Sequence, residues 1–391
     1  MTTDREHNAG SSRRVMLQGA LSAGVLASSG ALNGIFTPAS AAEPVIDANT
    51  MNRQWVLASH AEDAISEKNF AFREQPLGDK ASLKEGELLV RNIVFTPLPS
   101  QRIRMHADTG LGDAYMAPMK LNQPIGGSGV GRVVKSSNPK FPVGALVASG
   151  NWEDYTVVRP NSFVSAPIAA GISAVDYASV YGMNTQTAYY GMMRIGQVKA
   201  GETVIVSGAS GSVGSTAIQI AKINGARVIG IAGGKEKCAK LIRDYGIDAA
   251  IDYKSENITA RVKELAPKGV DIYFDNVGGP IMQDVVDQMA KFGRVVLCGT
   301  ISSYDNKNPA PGPRNMLRMV VYSVKLQGML YTDFMAERDT IVAELRKWKE
   351  SGQLKHKTDI RKGFKNLPET FMALFSGDKD GTLLLKNDGE A

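Results

Sequence analysis

Three glycines spaced three residues apart, Gly208, Gly211 and Gly214, follow the apolar run Val204-Ile205-Val206 and lead directly into Ala217-Ile218-Gln219-Ile220-Ala221. A strand that breaks into glycines and continues as a helix can clasp a dinucleotide. Gly208 permits the tight turn, Gly211 lets the backbone approach a pyrophosphate, and Gly214 brings the helix close to the sheet, while the helix N-terminus offers unpaired N–H groups to phosphates. Ser210 and Val213 lie within the same turn. The spacing G-x-x-G-x-x-G departs from the commonest fingerprint, so by itself the triplet is equally a plain strand-to-helix turn. Its surroundings favour the clasp.

Downstream, Gly225 is a plausible helix C-cap and Arg227-Val-Ile-Gly-Ile-Ala232 reads as a second strand. An acidic residue at the end of such a strand would hold the ribose 2′-OH of NAD. Here the strand ends in Gly233-Gly234-Lys235-Glu236-Lys237. Lysines beside glycines suit a 2′-phosphate, so NADPH is the expected cofactor; the alternative is that Lys235 and Lys237 begin a solvated helix.

The elements that must hold this clasp follow from pattern. The chain has 391 residues, 43% hydrophobic and 21% charged, enough for about two globular domains. From residue 53 to about 168, short apolar runs at residues 87–90, 130–134, 145–148 and 155–158, punctuated by Pro and Gly, predict a β-rich first domain. From 169 to 332, strands and helices alternate, with strand patterns at 249–253, 271–274, 294–298 and 325–328. That alternation predicts an α/β doubly wound parallel sheet. Residues 333–391, with a helix near 336–351 and a last strand at 382–385, are expected to return to the first domain.

Other chemistries fit poorly. The net charge of +6 is spread without a basic block or interleaved aromatics, which argues against nucleic acid. His60, His106 and His356 are scattered, and Cys238 and Cys298 both lie in the nucleotide-binding part, so no metal set is expected. There is no Gly-x-Ser-x-Gly elbow and no Walker lysine.

Residues 1–42 differ in kind. Ser12-Arg13-Arg14-Val15-Met16-Leu17 precedes an uncharged stretch rich in Ala, Gly, Ser and Leu that closes with Ala39-Ser40-Ala41. This has the form of a twin-arginine export signal, which implies the twin-arginine machinery as a partner and a periplasmic or otherwise exported product. An uncleaved membrane anchor is the second reading, a disordered tail the third. No stable membrane span is expected after processing, and residues 43–52 read as a linker.

Several segments together carry a resemblance: Trp55-Val-Leu-Ala-Ser59, Gly208 to Gly214, Ala232 to Lys237, Phe274-Asp-Asn-Val-Gly-Gly279, Phe292-Gly-Arg294, Cys298-Gly-Thr-Ile-Ser-Ser-Tyr304 and Pro311-Gly-Pro313. The sequence resembles the zinc-independent medium-chain dehydrogenase/reductases, in the leukotriene/prostaglandin and curcumin reductase branch. The resemblance implies a GroES-like β domain around a Rossmann domain, a homodimer, and NADPH-dependent reduction of a carbon–carbon double bond conjugated to a carbonyl. It places Lys237 and Tyr253 at the 2′-phosphate, and Asn276 and the loop containing Thr187 near the nicotinamide. It also places Tyr304 at the reacting end, with Gly233 beside the cofactor. On the residues alone, Tyr304 is equally a loop tyrosine on a domain edge, Tyr253 a strand-end aromatic and Asn276 a turn residue.

Such a reaction needs C4 of the nicotinamide close to the β-carbon and a donor for enolate charge, and neither task needs a metal. The chain departs from the branch at Ser100, where a substrate-facing tyrosine is usual, at Asn184-Thr185, where a proline-glycine turn is usual, and at Lys379 and Thr382, where an asparagine and a lysine are usual. The expected function is an NADPH-dependent enone or enal reductase. A quinone reductase of the same fold, or an NADPH-binding sensor without turnover, stands as the alternative.

Overall fold

A computed structural model describes residues 45–111, 117–161, 163–305 and 312–389. The signal-like segment 1–42 and Pro311 lie outside them. In the first domain β1 (Met51–Leu57) pairs with β2 (Phe70–Pro76) as an antiparallel ribbon. β3 (Leu88–Thr96) is the hub of a larger sheet, antiparallel to both β4 (Ser128–Ser136) and β6 (Tyr155–Val158), with β5 (Leu146–Ser149) beyond β4. Eight of the nine β3 residues are buried, so its apolar run is filled on both faces rather than alternating.

The second domain is built from β7 (Thr203–Ser207), β8 (Arg227–Ala232), β9 (Ala249–Asp252), β10 (Val270–Asp275), β11 (Met289–Leu297) and β12 (Lys325–Gly328). They form one parallel sheet in the order β12-β11-β10-β7-β8-β9. Strand order reverses between β7 and β10, and the crevice at the carboxyl ends of those two strands is where such sheets bind ligands. Both faces are covered: Val204 and Val206 enter one core with Ala217, Ile218 and Ala221 of the Ser212–Ile223 helix, while Ile205 enters the opposite core with Val262 and Val285.

The chain then re-crosses. The Arg338–Glu350 helix stays with the nucleotide-binding domain, where Ile341 and Leu345 share a core with Ile218. Only at β13 (Thr358–Lys362) and β14 (Thr382–Lys386) does it rejoin the first sheet, β14 lying antiparallel to β3 with Leu385 opposite Phe95. The architecture is the α/β pair of a GroES-like β domain and a Rossmann domain.

Candidate functional site

The clasp forms because its glycines meet backbone that no side chain could share. Gly208 sits at φ +59°, and a Cβ on Gly214 would stand 2.3 Å from the Gly208 carbonyl oxygen. Gly211 is the N-cap of the Ser212–Ile223 helix and brings no side-chain cap, so the leading N–H groups of that helix are left for an anion. Val213 is half-buried against the core, while Ser210 lines a small cleft with Lys237, Lys240, Lys357 and Lys379. Ser212 Oγ and Thr382 Oγ1 lie 2.5 Å apart, which ties the first helical residue to the start of β14. The branch's usual lysine is absent at 382, and its threonine braces the clasp instead.

The two lysines after β8 diverge. Both belong to the Lys235–Tyr245 helix, with Gly234 as N-cap, but Lys235 is exposed whereas Lys237 reaches back so that its Nζ donates to the Gly377 carbonyl at 2.9 Å. Lys237 is therefore the one of the pair held at the cleft. A Cβ on Gly233 would come within 2.9 Å of the Tyr253 ring, so glycine here lets that half-exposed aromatic lie flat against the strand end.

Asn276 is placed by a buried carboxylate. Asp275 Oδ1 accepts from Ser207 Oγ at 2.7 Å, from Tyr273 OH at 2.8 Å and from the N–H groups of Val277 and Gly278 at 3.0 Å. That network folds the loop after β10 over the end of β7, where Asn276 Nδ2 donates to the Ser207 carbonyl at 2.7 Å. Asn276 Cβ lies 3.5 Å from where a Cβ on Gly208 would be, so the loop touches the clasp at the switch point. Neighbouring Gly299 would, with a Cβ, meet both the Tyr304 hydroxyl at 3.2 Å and the Asn276 carbonyl at 3.3 Å. Tyr304, Asn276 and Gly208 are thus gathered at one crevice, although 96 residues separate the first from the last.

Tyr304 OH accepts the Thr300 N–H at 3.4 Å, which leaves its own proton free to donate. Burial raises its pKa above the ordinary value, so it is a neutral donor near pH 7. The first domain holds its segment: Arg102 Nε lies 2.6 Å from Asp305 Oδ1, and His106 Nε2 is 2.9 Å from the Tyr304 carbonyl. Burial, with Asp275 adding to it, pushes the Cys298 thiol up to about 12, so it is no thiolate at neutral pH.

A cavity of about 700 Å³ opens between β4, β5 and the Met183–Tyr190 helix. Ser100 is on its wall, as are Gln101, Arg104, Gln186, Tyr331 and Arg338, which the sequence reading did not single out. Thr187, half-buried on the same helix, is one residue beyond the lining Gln186. Asn184-Thr185 does not need proline for rigidity: Thr185 Oγ1 donates to the Ser179 carbonyl at 3.2 Å and Gln186 Nε2 to the Tyr181 carbonyl at 2.7 Å. Among the described residues, no three His, Cys, Asp or Glu side chains stand close enough to share a metal ion.

A Rossmann clasp, a neutral tyrosine donor gathered near its glycine turn, and a roomy cavity walled by the first domain and the Met183–Tyr190 helix define a nicotinamide-dependent oxidoreductase. Comparison with known proteins agrees. A family model described as the N-terminal domain of oxidoreductase matches residues 53–165, and one described as zinc-binding dehydrogenase matches 212–347. The chain is 35% identical to a putative NADP-dependent oxidoreductase of Bacillus subtilis over 82% of its own length and 93% of that protein's. It is 32% identical to the NADPH-dependent curcumin reductase of Escherichia coli, over 87% and 98%. The structure of CurA from Vibrio vulnificus in complex with NADPH superposes with a TM-score of 0.78 at 31% identity, covering 86% of this chain and all of that one. The chain belongs to the medium-chain dehydrogenase/reductase family. It is an NADPH-dependent oxidoreductase, and the cradle that side chains would fill at Gly214, the uncapped helix and the lysine cleft all fit that cofactor.

Proposed function

We propose that this protein reduces the carbon–carbon double bond of α,β-unsaturated ketones or aldehydes. The observation that carries the reading is the gathering of the Tyr304 hydroxyl, Gly299 and Asn276 at the switch-point crevice. When bound, NADPH supplies hydride from C4 to the β-carbon of the substrate. The chain positions the rest: Asn276 is clamped to Ser207 beside the nicotinamide end, the cavity beside the Met183–Tyr190 helix takes the substrate, and Tyr304 donates its hydrogen bond to the oxygen on which enolate charge develops, after which the α-carbon takes a proton from solvent. Relatives named prostaglandin reductase 1 (Bos taurus, 34% identical) and 2-alkenal reductase (Nicotiana tabacum, 31%) support this class.

The test is a fluorescence titration with NADPH followed by its absorbance decay in the presence of simple enones, enals and quinones. Turnover with enones and enals is the expected result. Oxidation by quinones alone would make it a quinone reductase, and tight binding with no oxidation a sensor.

Two further properties belong to the proposal. The Met316–Val321 helix exposes Met316, Leu317, Val320 and Val321 by more than half each, and β12 is the edge strand of its sheet among the described residues; a second copy would cover both. Light scattering should therefore report a homodimer. Among the described residues no helix is long and apolar enough to cross a membrane, and we propose export of the folded, NADPH-loaded chain through Arg13-Arg14. Replacing both arginines by lysine should leave active precursor in the cytoplasm; unchanged export would refute that reading.

A further inference from the structure

The cleft beside the clasp contains four lysines that are not alike. Lys357 and Lys240 are both neutralised by Asp380, at 2.5 and 3.2 Å, and Lys240 also lies 3.2 Å from Glu236. Among the described residues Lys237 has only the neutral Gly377 carbonyl. Lys379, on the turn before β14, is half-buried beside Lys237, and its ammonium has neither hydrogen bond nor ion pair among the described residues. Two neighbouring ammonium groups without a carboxylate between them repel each other, and a half-buried ammonium without an acceptor is costly. An arrangement of that kind is relieved by an anion, and Ser210 of the clasp is on the same wall.

We propose that Lys379 is the second cation for the 2′-phosphate of NADPH, clamping it opposite Lys237, and that it takes up a proton when the phosphate binds. The proposal rests on NADPH as cofactor and is independent of the substrate reading. It makes a position at which the chain departs from its branch into a determinant of cofactor choice.

The proton follows from the surroundings. Lys379 shares its cleft with Lys237 and Lys240 of the Lys235–Tyr245 helix, with Glu236, Asp244 and Tyr245 of that same helix, with Lys357 just before β13 and with the adjacent Asp380. Asp380 is engaged by Lys357 and Lys240, and Asp244 by Arg243 at 2.8 Å. Burial first, then the charge of Lys237, lower the Lys379 pKa to about 8. Above that value the free protein holds Lys379 neutral. A phosphate dianion, whose second pKa is about 6, favours the ammonium and draws a proton from solvent.

Direct binding tests this without substrate. Lys379→Asn should weaken NADPH about tenfold or more, the loss of a charge-assisted contact, and leave NADH within about twofold; Lys379→Arg should retain most of the affinity. Calorimetry of the unaltered protein in buffers of different ionisation enthalpy should show uptake approaching one proton per NADPH at pH 9, little at pH 6.5, and none with NADH. An unchanged NADPH affinity in Lys379→Asn, or equal losses for both cofactors, overturns the assignment. NADPH binding at pH 9 without proton uptake overturns the protonation step, and that measurement decides even if the variant fails to fold.

Discussion

Arg102 Nε lies 2.6 Å from Asp305 Oδ1, joining the first domain to the residue that follows Tyr304. The guanidinium is fully buried, its partner about one-third exposed. Its Nη2 donates to the Asp63 carbonyl, and its Nη1 meets no partner among the described residues. The charge therefore depends on Asp305.

Asp305→Asn keeps the shape and removes the counter-charge. Stranding a buried cation costs several kcal/mol, and the partial exposure of Asp305 reduces this to about 2 kcal/mol of folding free energy. Urea unfolding should show a lowered midpoint with an unchanged slope. A shift no larger than that of a surface Asp→Asn control would show that solvent already screens the pair.

Tyr304→Phe removes the hydroxyl that approaches Gly299 and keeps the ring. It should lower kcat by about ten- to a hundredfold with NADPH affinity little changed, somewhat less than the loss of a full oxyanion-hole donor. An unaltered kcat would leave Tyr304 a packing role and make a cofactor ribose hydroxyl the donor.

Gly214→Ala would set a methyl 2.3 Å from the Gly208 oxygen and 2.8 Å from the Ala209 Cα, both of them backbone. Neither can swing aside as a side chain would, so the helix must move from the sheet. The expected cost is about 2–4 kcal/mol of stability, with NADPH binding lost in fluorescence titration. Gly312→Ala, whose added Cβ would meet nothing within 4 Å among the described residues, should do neither.

His356 gives a pH dependence. Burial first, then the charge of Lys349, which outweighs that of Asp176, together lower its pKa to about 4; its Nε2 is buried with no partner among the described residues. Between about 4 and 6.5 the unfolded chain binds a proton that the folded one does not, so stability rises with pH through that window and is lost as pH falls through it. The limb amounts to about 3 kcal/mol at most, and His356→Gln should flatten it in thermal melts taken from pH 7 to pH 4.5.

The glycine turn, the parallel alternation and the lysines after β8 were legible in the sequence because each is written in adjacent residues: a strand period, a glycine spacing, a charge beside a strand end. The resemblance added Tyr304 and Asn276 as candidates. What residue order could not reveal is which groups meet across the fold. On the residues alone Lys235 and Lys237 look equivalent, and only the resemblance singled out Lys237; helical geometry exposes the first and turns the second to Gly377. Ser212 meets Thr382 and Arg102 meets Asp305 only because the chain returns to the first sheet and the two domains close on one crevice. Lys379 reads as one charge in a turn; burial beside Lys237 with no acceptor among the described residues makes it a different chemical group. Local order determines the strand, helix or turn a segment forms, since those interactions span a few residues. The surroundings of a charge are set by groups brought from distant parts of the chain, and those surroundings decide whether it is solvated, paired or held ready for a ligand.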